Sequence, residues 1–305
     1  MRETARPQGV FDFDQTLTLE NTHYPDRFRN FFCVLTGLSF AAYDQLWPVA
    51  KQTLARGLKE NPQAHGWFFA GHNVAPGGAD VILFHQNLAA ELVKILKEDK
   101  SYTASTLSLP DLADRSETEK FLYRIYRGSY SADDLLLKPE LVKAFEELSE
   151  KVQLNIVTNS APANVKRVID KEAPEIAGFV MIFGRAQKFA IDPAWDLVDM
   201  ELEIPGFPRS ILLRRHAYYN ILEQIMGQGK IAFVAGDIFE LDLALIHALK
   251  KQDQRYSDVL LFLTQTVFSR EFAEYEEAYF RKGNQSGRFL VGGLREIPQV
   301  LKTLK

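Results

Sequence analysis

Cysteine is almost absent from this sequence, because Cys33 is the only one among 305 residues. A single cysteine excludes an intramolecular disulfide and any zinc site built from several cysteines. Disulfides belong mainly to oxidising compartments, so their exclusion favours a reducing, cytoplasmic location.

Long apolar runs are also missing, since no stretch approaches the roughly 20 apolar residues that a membrane-spanning helix needs. The first eight residues carry Arg2 and Arg6 with no apolar run behind them, which is unlike a secretory signal. We therefore expect no membrane partner.

Neither sign of charge is in large excess: 36 basic and 40 acidic residues give a net charge of −4. Binding to a phosphate backbone favours a basic surface, so we expect no nucleic-acid partner. Apolar residues make up 46% of the chain and charged residues 25%, the balance of a globular protein with a substantial core. The length allows one elaborated domain or two modest ones.

The order of sequence patterns predicts an α/β fold. A short apolar run at residues 9–14 ends in carboxylates and is typical of a buried strand. Residues 21–137 show helical periodicity, with no convincing strand. From residue 138 onward, strands alternate with helices, which predicts a doubly wound, mostly parallel, Rossmann-like sheet. We expect a discontinuous core domain of residues 1–20 and 138–305 and an all-helical cap domain of residues 21–137.

Polar residues follow three of the predicted strands, and in open parallel sheets ligands bind at the carboxyl ends of strands. Asp12 and Asp14 follow the first strand, Thr158-Asn159-Ser160 another, and Gly236-Asp237, with Asp242 beyond, a third. Each group alone is ordinary, since a lone Asp-x-Asp is often a cap and a lone Gly-Asp a turn. Their joint occurrence on strand ends predicts one shared site.

These residue types suit phosphoryl transfer. A carboxylate such as Asp12 can attack phosphorus, and Asp14 can protonate the leaving oxygen and later deprotonate a water. Residues two apart on a strand point the same way, so the two carboxylates would share a face. Clustered carboxylates and a phosphate repel one another, which calls for Mg²⁺, with Asp237 as the third acid. The Thr158 hydroxyl and nearby amides can hold phosphate oxygens.

The sequence resembles the haloacid dehalogenase (HAD) superfamily of phosphohydrolases. The Asp12-Phe13-Asp14-Gln15-Thr16 segment resembles the family's first motif, the strand ending at Thr158 its second, and Gly236-Asp237 with Asp242 its fourth. The resemblance implies that Asp12 is the nucleophile and Asp14 the general acid/base. It also implies Mg²⁺ held by Asp12, Asp237 and the main-chain carbonyl of Asp14, and a cap inserted between the first two motifs.

The family's third motif supplies a positive charge near the nucleophile, and here three residues compete for that role. Arg214 and Arg215 lie where the family usually has a lysine, and Lys188 lies earlier in the chain. We favour Arg215 as the catalytic cation, and we expect Thr158, Asn159 and Lys188 to contact the substrate.

The sequence thus predicts a magnesium-dependent phosphatase that hydrolyses a phosphate monoester through an aspartyl phosphate. The substrate would be a small phosphorylated metabolite or a phosphopeptide. Asp14 favours phosphate esters, because a dehalogenase has no leaving alcohol to protonate. The alternatives are a catalytically silent binding protein with this fold and a phosphotransferase or phosphomutase of the same superfamily. A glycosyltransferase would need a nucleotide-binding domain before its Asp-x-Asp, and only eleven residues precede Asp12.

Overall fold

The computed structural model describes residues 5–99, 108–205, 207, 209–264 and 289–303. The chain divides into two compact units, which we call the core unit (Met1–Glu20 and Leu135–Lys305) and the inserted unit (Asn21–Asp134). The three residues before Lys138 therefore belong to the core unit and not to the insertion. An isolated antiparallel bridge pairs Leu137 with Thr18, where the chain leaves β1.

Strands and helices alternate through the core unit, whereas helices predominate in the inserted unit. The strands are β1 (Gln8–Phe11), β2 (Gly66–Phe69), β3 (His72–Pro76), β4 (Gln153–Val157), β5 (Val180–Phe183), β6 (Glu201–Leu202), β7 (Ile211–Leu212), β8 (Ile231–Gly236), β9 (Leu260–Thr264) and β10 (Phe289–Gly292). The helices are α1 (Tyr24–Thr36), α2 (Phe40–Glu60), α3 (Val81–Glu98), α4 (Arg115–Ser129), α5 (Leu141–Ser149), α6 (Pro162–Glu172), α7 (His216–Met226), α8 (Ala244–Gln252) and α9 (Glu296–Thr303).

The core unit is built on a six-stranded sheet in the order β10-β9-β8-β1-β4-β5, and every neighbouring pair in it is parallel. This arrangement confirms the predicted doubly wound α/β class. Strand β1 lies between β8 and β4, with Phe11 opposite both Ala235 and Ile156. The three strands that end in polar motifs are therefore neighbours, and their carboxyl ends lie at one edge of the sheet.

Aromatic packing fixes the central strand. The Phe11 side chain is fully buried, with its ring 4.9 Å from the Phe145 ring of α5 and 5.1 Å from the Phe233 ring of β8. Burying a phenylalanine side chain contributes about 2–3 kcal/mol, so β1 is anchored on both neighbours just before Asp12.

The inserted unit contains the four predicted helices, α1 to α4, but the expectation that it is all helical is wrong. Strands β2 and β3 form an antiparallel hairpin, with Gly66 opposite Pro76. Ala70 and Gly71 turn the hairpin with φ values of 46° and 91°, the left-handed conformation that tight hairpin turns require. Among the described residues, no helix is both long and apolar enough to cross a membrane.

Candidate functional site

The loop after β1 places Asp12 and Asp14 in different environments. The Asp12 amide donates to the Ala235 carbonyl at 2.8 Å, which continues the sheet pairing by one residue. Asp12 is only 9% exposed, whereas Asp14 is half-buried. Gln15 adopts φ 58°, and its amide donates to the Thr18 hydroxyl at 2.7 Å, so the chain turns sharply directly after the two carboxylates.

Lys188 supplies the positive charge beside Asp12. Its Nζ lies 2.6 Å from Asp12 Oδ1 and 2.7 Å from Asp242 Oδ1, and the residue is 1% exposed. The same nitrogen lies 5.4 Å from the centre of the Tyr218 ring, which adds a cation–π contact. Lys188, which we expected to contact the substrate, therefore lies on the nucleophile candidate itself.

The two arginines near the third motif do not lie on Asp12, which corrects our preference for Arg215. Arg215 is fully buried and donates through Nη1 to the main-chain carbonyl of Lys188. Arg214 donates to the carbonyl oxygens of Pro193 at 2.5 Å and Val198 at 3.2 Å. Both arginines are thus engaged with main-chain oxygens, and Lys188 alone of the three contacts a carboxylate of the first motif.

The Asp14 carboxylate is held by hydroxyls from the end of β4. Ser160 Oγ donates to Asp14 Oδ2 at 2.7 Å, and Thr158 Oγ1 lies 3.4 Å from the same oxygen. Thr158 is fully buried, and its hydroxyl also accepts from the Ser160 amide at 3.1 Å. The sequence motif predicted a role for Thr158 and none for Ser160, although Ser160 makes the shorter contact with Asp14.

Asn159 connects the loop after β4 to the loop that carries Lys188. Asn159 Oδ1 accepts from the Lys188 amide at 2.8 Å. The amides of Arg185 and Ala186 donate to the carbonyls of Ser160 and Thr158, both at 2.9 Å. The side-chain oxygen of Asn159 thus positions Lys188, and a contact of this residue with substrate stays a prediction.

Three buried carboxylates, those of Asp12, Asp237 and Asp242, form a cluster, and the carboxylate of Asp14 is not part of it. One oxygen from each of Asp12, Asp237 and Asp242 lies within 4.8 Å of the other two. Thr16 Oγ1 donates to Asp237 Oδ1 at 3.1 Å. The Asp14 carboxylate is instead on Ser160. Its main-chain carbonyl, the atom that the family resemblance implied as a ligand, accepts from the Thr16 amide at 2.7 Å.

The chemistry of this donor set fits Mg²⁺. All three side chains offer carboxylate oxygens, which are the ligands that Mg²⁺ prefers, and all three are buried. The single charge of Lys188 can balance only one of the three carboxylates, so a divalent cation would relieve the remaining repulsion. Both carboxylate oxygens of Asp242 already have hydrogen-bond partners, because Oδ1 contacts Lys188 and Oδ2 accepts from the Ile238 amide at 3.1 Å. Asp12 and Asp237 are therefore the residues best suited to hold the ion directly.

Burial and charge shift the pKa values of this cluster. Burial, reinforced by Asp242 and Asp14, raises the pKa of Asp12 to about 7, although Lys188 opposes the shift. Burial lowers the pKa of Lys188, but the attraction of Asp12 and Asp242 outweighs it, so its net pKa is raised. Lys188 therefore stays charged, while the charge of Asp12 depends on what else binds beside it.

A second amine lies near the cluster, and sequence analysis did not find it. Lys138 Nζ donates to the Thr16 carbonyl at 2.8 Å. Burial lowers the pKa of Lys138, and the charge of Asp237 opposes this shift. No motif signals this residue, because it simply precedes Pro139 at the start of the segment that leads into α5.

A comparison with solved structures finds haloacid dehalogenase-like proteins that align over most of this chain. YfnB from Bacillus subtilis, in a crystal structure with bound magnesium, is 12% identical, with a TM-score of 0.44, over 98% of this chain and 100% of that one. Protein SP0104 of Streptococcus pneumoniae, a haloacid dehalogenase-like family hydrolase, is 13% identical, with a TM-score of 0.42, over 96% and 97%. An HAD phosphatase of Thermococcus onnurineus is 12% identical, with a TM-score of 0.40, over 97% of each chain.

The chain has an α/β fold with a parallel six-stranded sheet and an inserted unit, and it is similar to haloacid dehalogenase-like structures. The sheet order and the insertion after β1 confirm the resemblance that the motifs indicated. Comparison with family models finds no match, and comparison with curated proteins finds none either. Other similar HAD-like structures are named as L-2-haloacid dehalogenases. The similarity therefore concerns the fold and does not indicate which reaction the protein catalyses.

Proposed function

We propose that this HAD-like protein is a magnesium-dependent phosphatase that hydrolyses a phosphate monoester through an aspartyl phosphate on Asp12. The observation that carries the proposal is the pairing of two different carboxylates on one loop. Asp12 lies against Lys188 at 2.6 Å, and Asp14 lies against Ser160 at 2.7 Å. A dehalogenase needs no acid in the position of Asp14, whereas an ester substrate needs one to protonate the leaving alcohol.

In the first step, an ionised Asp12 oxygen attacks phosphorus and forms the P–O bond of the aspartyl phosphate. The bond from phosphorus to the ester oxygen breaks, and Asp14 gives its proton to that oxygen as the alcohol leaves. The Lys188 ammonium balances negative charge between Asp12 and the phosphoryl group. The Thr158 hydroxyl and the amides that follow it can hold phosphoryl oxygens.

In the second step, Asp14, now ionised, removes a proton from water as the water oxygen attacks phosphorus. The bond between phosphorus and Asp12 breaks, so inorganic phosphate leaves and both carboxylates return to their starting states. Asp12 and Asp237 would hold Mg²⁺, which would supply charge neutralisation for the phosphoryl group when bound. Asp242 keeps Lys188 in place through its 2.7 Å contact.

Lys188 weakens the case for a catalytically silent protein, because it supplies a positive charge beside Asp12. A phosphotransferase or phosphomutase would share the first step and differ in its second acceptor. We propose a small phosphorylated metabolite or a phosphopeptide as the substrate class, and a cytoplasmic location.

Phosphate release from an aryl phosphate tests the proposal. We expect release with Mg²⁺, loss of activity on chelation and its return when Mg²⁺ is restored. Asp12→Asn should reduce turnover by at least about 1,000-fold, because the substitution removes both the nucleophilic carboxylate and its negative charge. Asp170→Asn is the matched control, because Asp170 pairs with Lys166 on the surface of α6 and such pairs contribute little. No release from a broad panel of phosphate esters with Mg²⁺ present would contradict the proposal. Release that depends on an added alcohol would indicate a phosphotransferase.

A further inference from the structure

Arg215 is an arginine with no exposed surface, at a place where a positive charge is costly. It directly precedes α7, and a cation is unfavourable at the positive end of a helix dipole. Burial lowers its pKa to about 10, so it is still charged at neutral pH. A buried charge is tolerated only when it is paired and hydrogen-bonded. The position therefore requires a specific set of partners.

Those partners come from the turn that follows β8. Glu240 lies in a π-helical turn, Phe239–Leu243, and is 1% exposed. Its Oε2 is paired with Nη2 of Arg209, whose side chain is only 2% exposed, and its charge also attracts Arg215. The same turn carries Asp242, which holds the Lys188 ammonium. Arg209 and Glu240 thus form a buried ion pair whose carboxylate also acts on the charge of Arg215.

The main chain that Arg215 contacts is a strained segment. Arg185 and Gln187 adopt φ values of 55° and 50°, the left-handed region that residues other than glycine rarely occupy. Such residues persist only where their surroundings determine the conformation. The segment is held at the Lys188 amide by Asn159 Oδ1 and at the Lys188 carbonyl by Arg215 Nη1.

We propose that Arg215 is a positioning residue for Lys188: it fixes the main-chain carbonyl of that lysine so that its ammonium stays on Asp12 and Asp242. Glu240, paired with Arg209, balances the charge of the buried guanidinium. Arg215 therefore acts through Lys188: the arginine binds the main chain of the lysine, and the lysine ammonium binds the nucleophile Asp12. The catalytic part of this inference rests on the phosphatase function proposed above, whereas the placement of Lys188 does not.

Steady-state kinetics with an aryl phosphate test the catalytic part. Arg215→Gln should lower kcat on the order of 100-fold, since a misplacement of about 1 Å at a catalytic group has that effect. KM should change little, because the substrate does not contact Arg215. Arg215→Lys keeps a charged donor and should recover part of the loss. Arg214→Gln is the matched control, because the neighbouring arginine contacts only Pro193 and Val198 carbonyls among its described hydrogen bonds.

The lysine ammonium resonances of the metal-free protein test the placement without any catalysis. A fully buried ammonium held by two carboxylates should give a slowly exchanging ¹H–¹⁵N signal, assigned by its loss in Lys188→Met. We expect this signal to shift or broaden in Arg215→Gln and in Glu240→Gln, and to be unchanged in Arg214→Gln. If Arg215→Gln does not fold, Arg215→Lys and Glu240→Gln carry the test.

Folded Arg215 variants with the wild-type ammonium signal and wild-type kcat would overturn the proposal. An equal loss in Arg215→Lys and Arg215→Gln, with no change in the Lys188 signal, would also overturn it, since it would indicate a general effect on packing. A protein that releases no phosphate but shows the expected ammonium changes would contradict the phosphatase function and support the positioning role.

Discussion

Two carboxylates of the same residue type, two positions apart, can carry different roles because their surroundings differ. Asp12 is buried against Lys188, and burial raises its pKa to about 7 without a metal ion. A cation bound beside it would favour the ionised form that attacks phosphorus. Asp14 is half-buried and accepts from Ser160 and Thr158. Separate environments for paired acids are a common basis for dividing nucleophile and acid/base roles.

Asp14→Asn should separate substrates by leaving group. An alkyl phosphate needs its leaving oxygen protonated, so we expect its turnover to fall about 100- to 10,000-fold. A nitrophenyl phosphate has a good leaving group, so its first step should be spared while hydrolysis of the aspartyl phosphate is slow. Rapid-quench measurements should then show a burst of nitrophenol followed by slow turnover. Equal losses for both substrates, without a burst, would contradict the role of Asp14.

The residues at the strand ends were predictable, because Asp12, Asp14, Thr158 and Asp237 each follow an apolar run of strand length. The source of the positive charge was not predictable. The segment that carries Lys188 to Asp12 places Arg185 and Gln187 in left-handed conformations, which are usually adopted by glycine or asparagine. Arg215, whose position matched the family pattern better, faces the main chain of Lys188 instead.

At the level of elements, the close approach between β8 and the turn after it depends on Gly236. A Cβ atom at this position would lie 2.3 Å from Cβ and 2.5 Å from Cγ of Asp242. Asp242 contacts Lys188 and also accepts from the Ile238 amide, so it has little freedom to move. The glycine of the Gly-Asp motif is therefore required by packing against a residue of the site.

Gly236→Ala should displace Asp242 and loosen Lys188. We expect a stability loss of about 1–3 kcal/mol, typical of overpacking, and weaker Mg²⁺ binding. Urea unfolding and calorimetric titration with Mg²⁺ measure the two effects. Gly178→Ala is the matched control, since a Cβ there meets nothing within 4 Å. If both variants behave alike, Gly236 has no special role in placing Asp242.

The sheet and its flanking helices followed from alternating patterns, but the β2–β3 hairpin did not. Its strands are only four and five residues long, and the register shifts between Trp67 and Phe68. The turn uses Ala70 at φ 46°, where the usual hairpin signal would be asparagine or glycine. Short, irregular pairing of this kind depends on its partner strand, and a sequence pattern read along one segment does not contain that information.

At the scale of the whole molecule, the chain leaves the core unit for the insertion and returns to it at two segments whose main chains are hydrogen-bonded to each other. The Leu19 amide donates to the Leu136 carbonyl at 2.8 Å, and the Lys138 amide donates to the Leu17 carbonyl at 2.9 Å. These bonds join the two ends of the insertion just after β1, and β4, the next core strand along the chain, is a neighbour of β1 in the sheet. A long insertion between adjacent strands therefore leaves the pairing of the central strands intact.

Both units contain a histidine that is kept neutral by burial, so stability should fall in mild acid. Burial lowers the pKa of His85 in the inserted unit to about 4, and burial together with Lys251 and Lys250 does the same for His247 in the core unit. His85 is 3% exposed and lies among aromatic rings, with Phe28 at 4.9 Å and Trp47 at 5.4 Å. Its Nδ1 lies 2.6 Å from the Val81 carbonyl, which it satisfies as the neutral N–H tautomer.

The sign of the pH dependence follows from which state binds the proton. An unfolded histidine titrates near 6.5, so between pH 6.5 and 4 the unfolded chain takes up protons that the folded chain does not. The free energy of unfolding that the neutral, buried histidine contributes is present in full above the unfolded pKa of about 6.5 and is lost as the pH falls toward the folded pKa of about 4. For His85 alone, the loss between pH 7 and pH 5 should be about 2 kcal/mol. His85→Phe should remove that part of the loss in urea unfolding followed by tryptophan fluorescence, whereas His23→Gln, at an exposed position, should keep it. An equally steep loss in His85→Phe would mean that protonation elsewhere destabilises the inserted unit in acid.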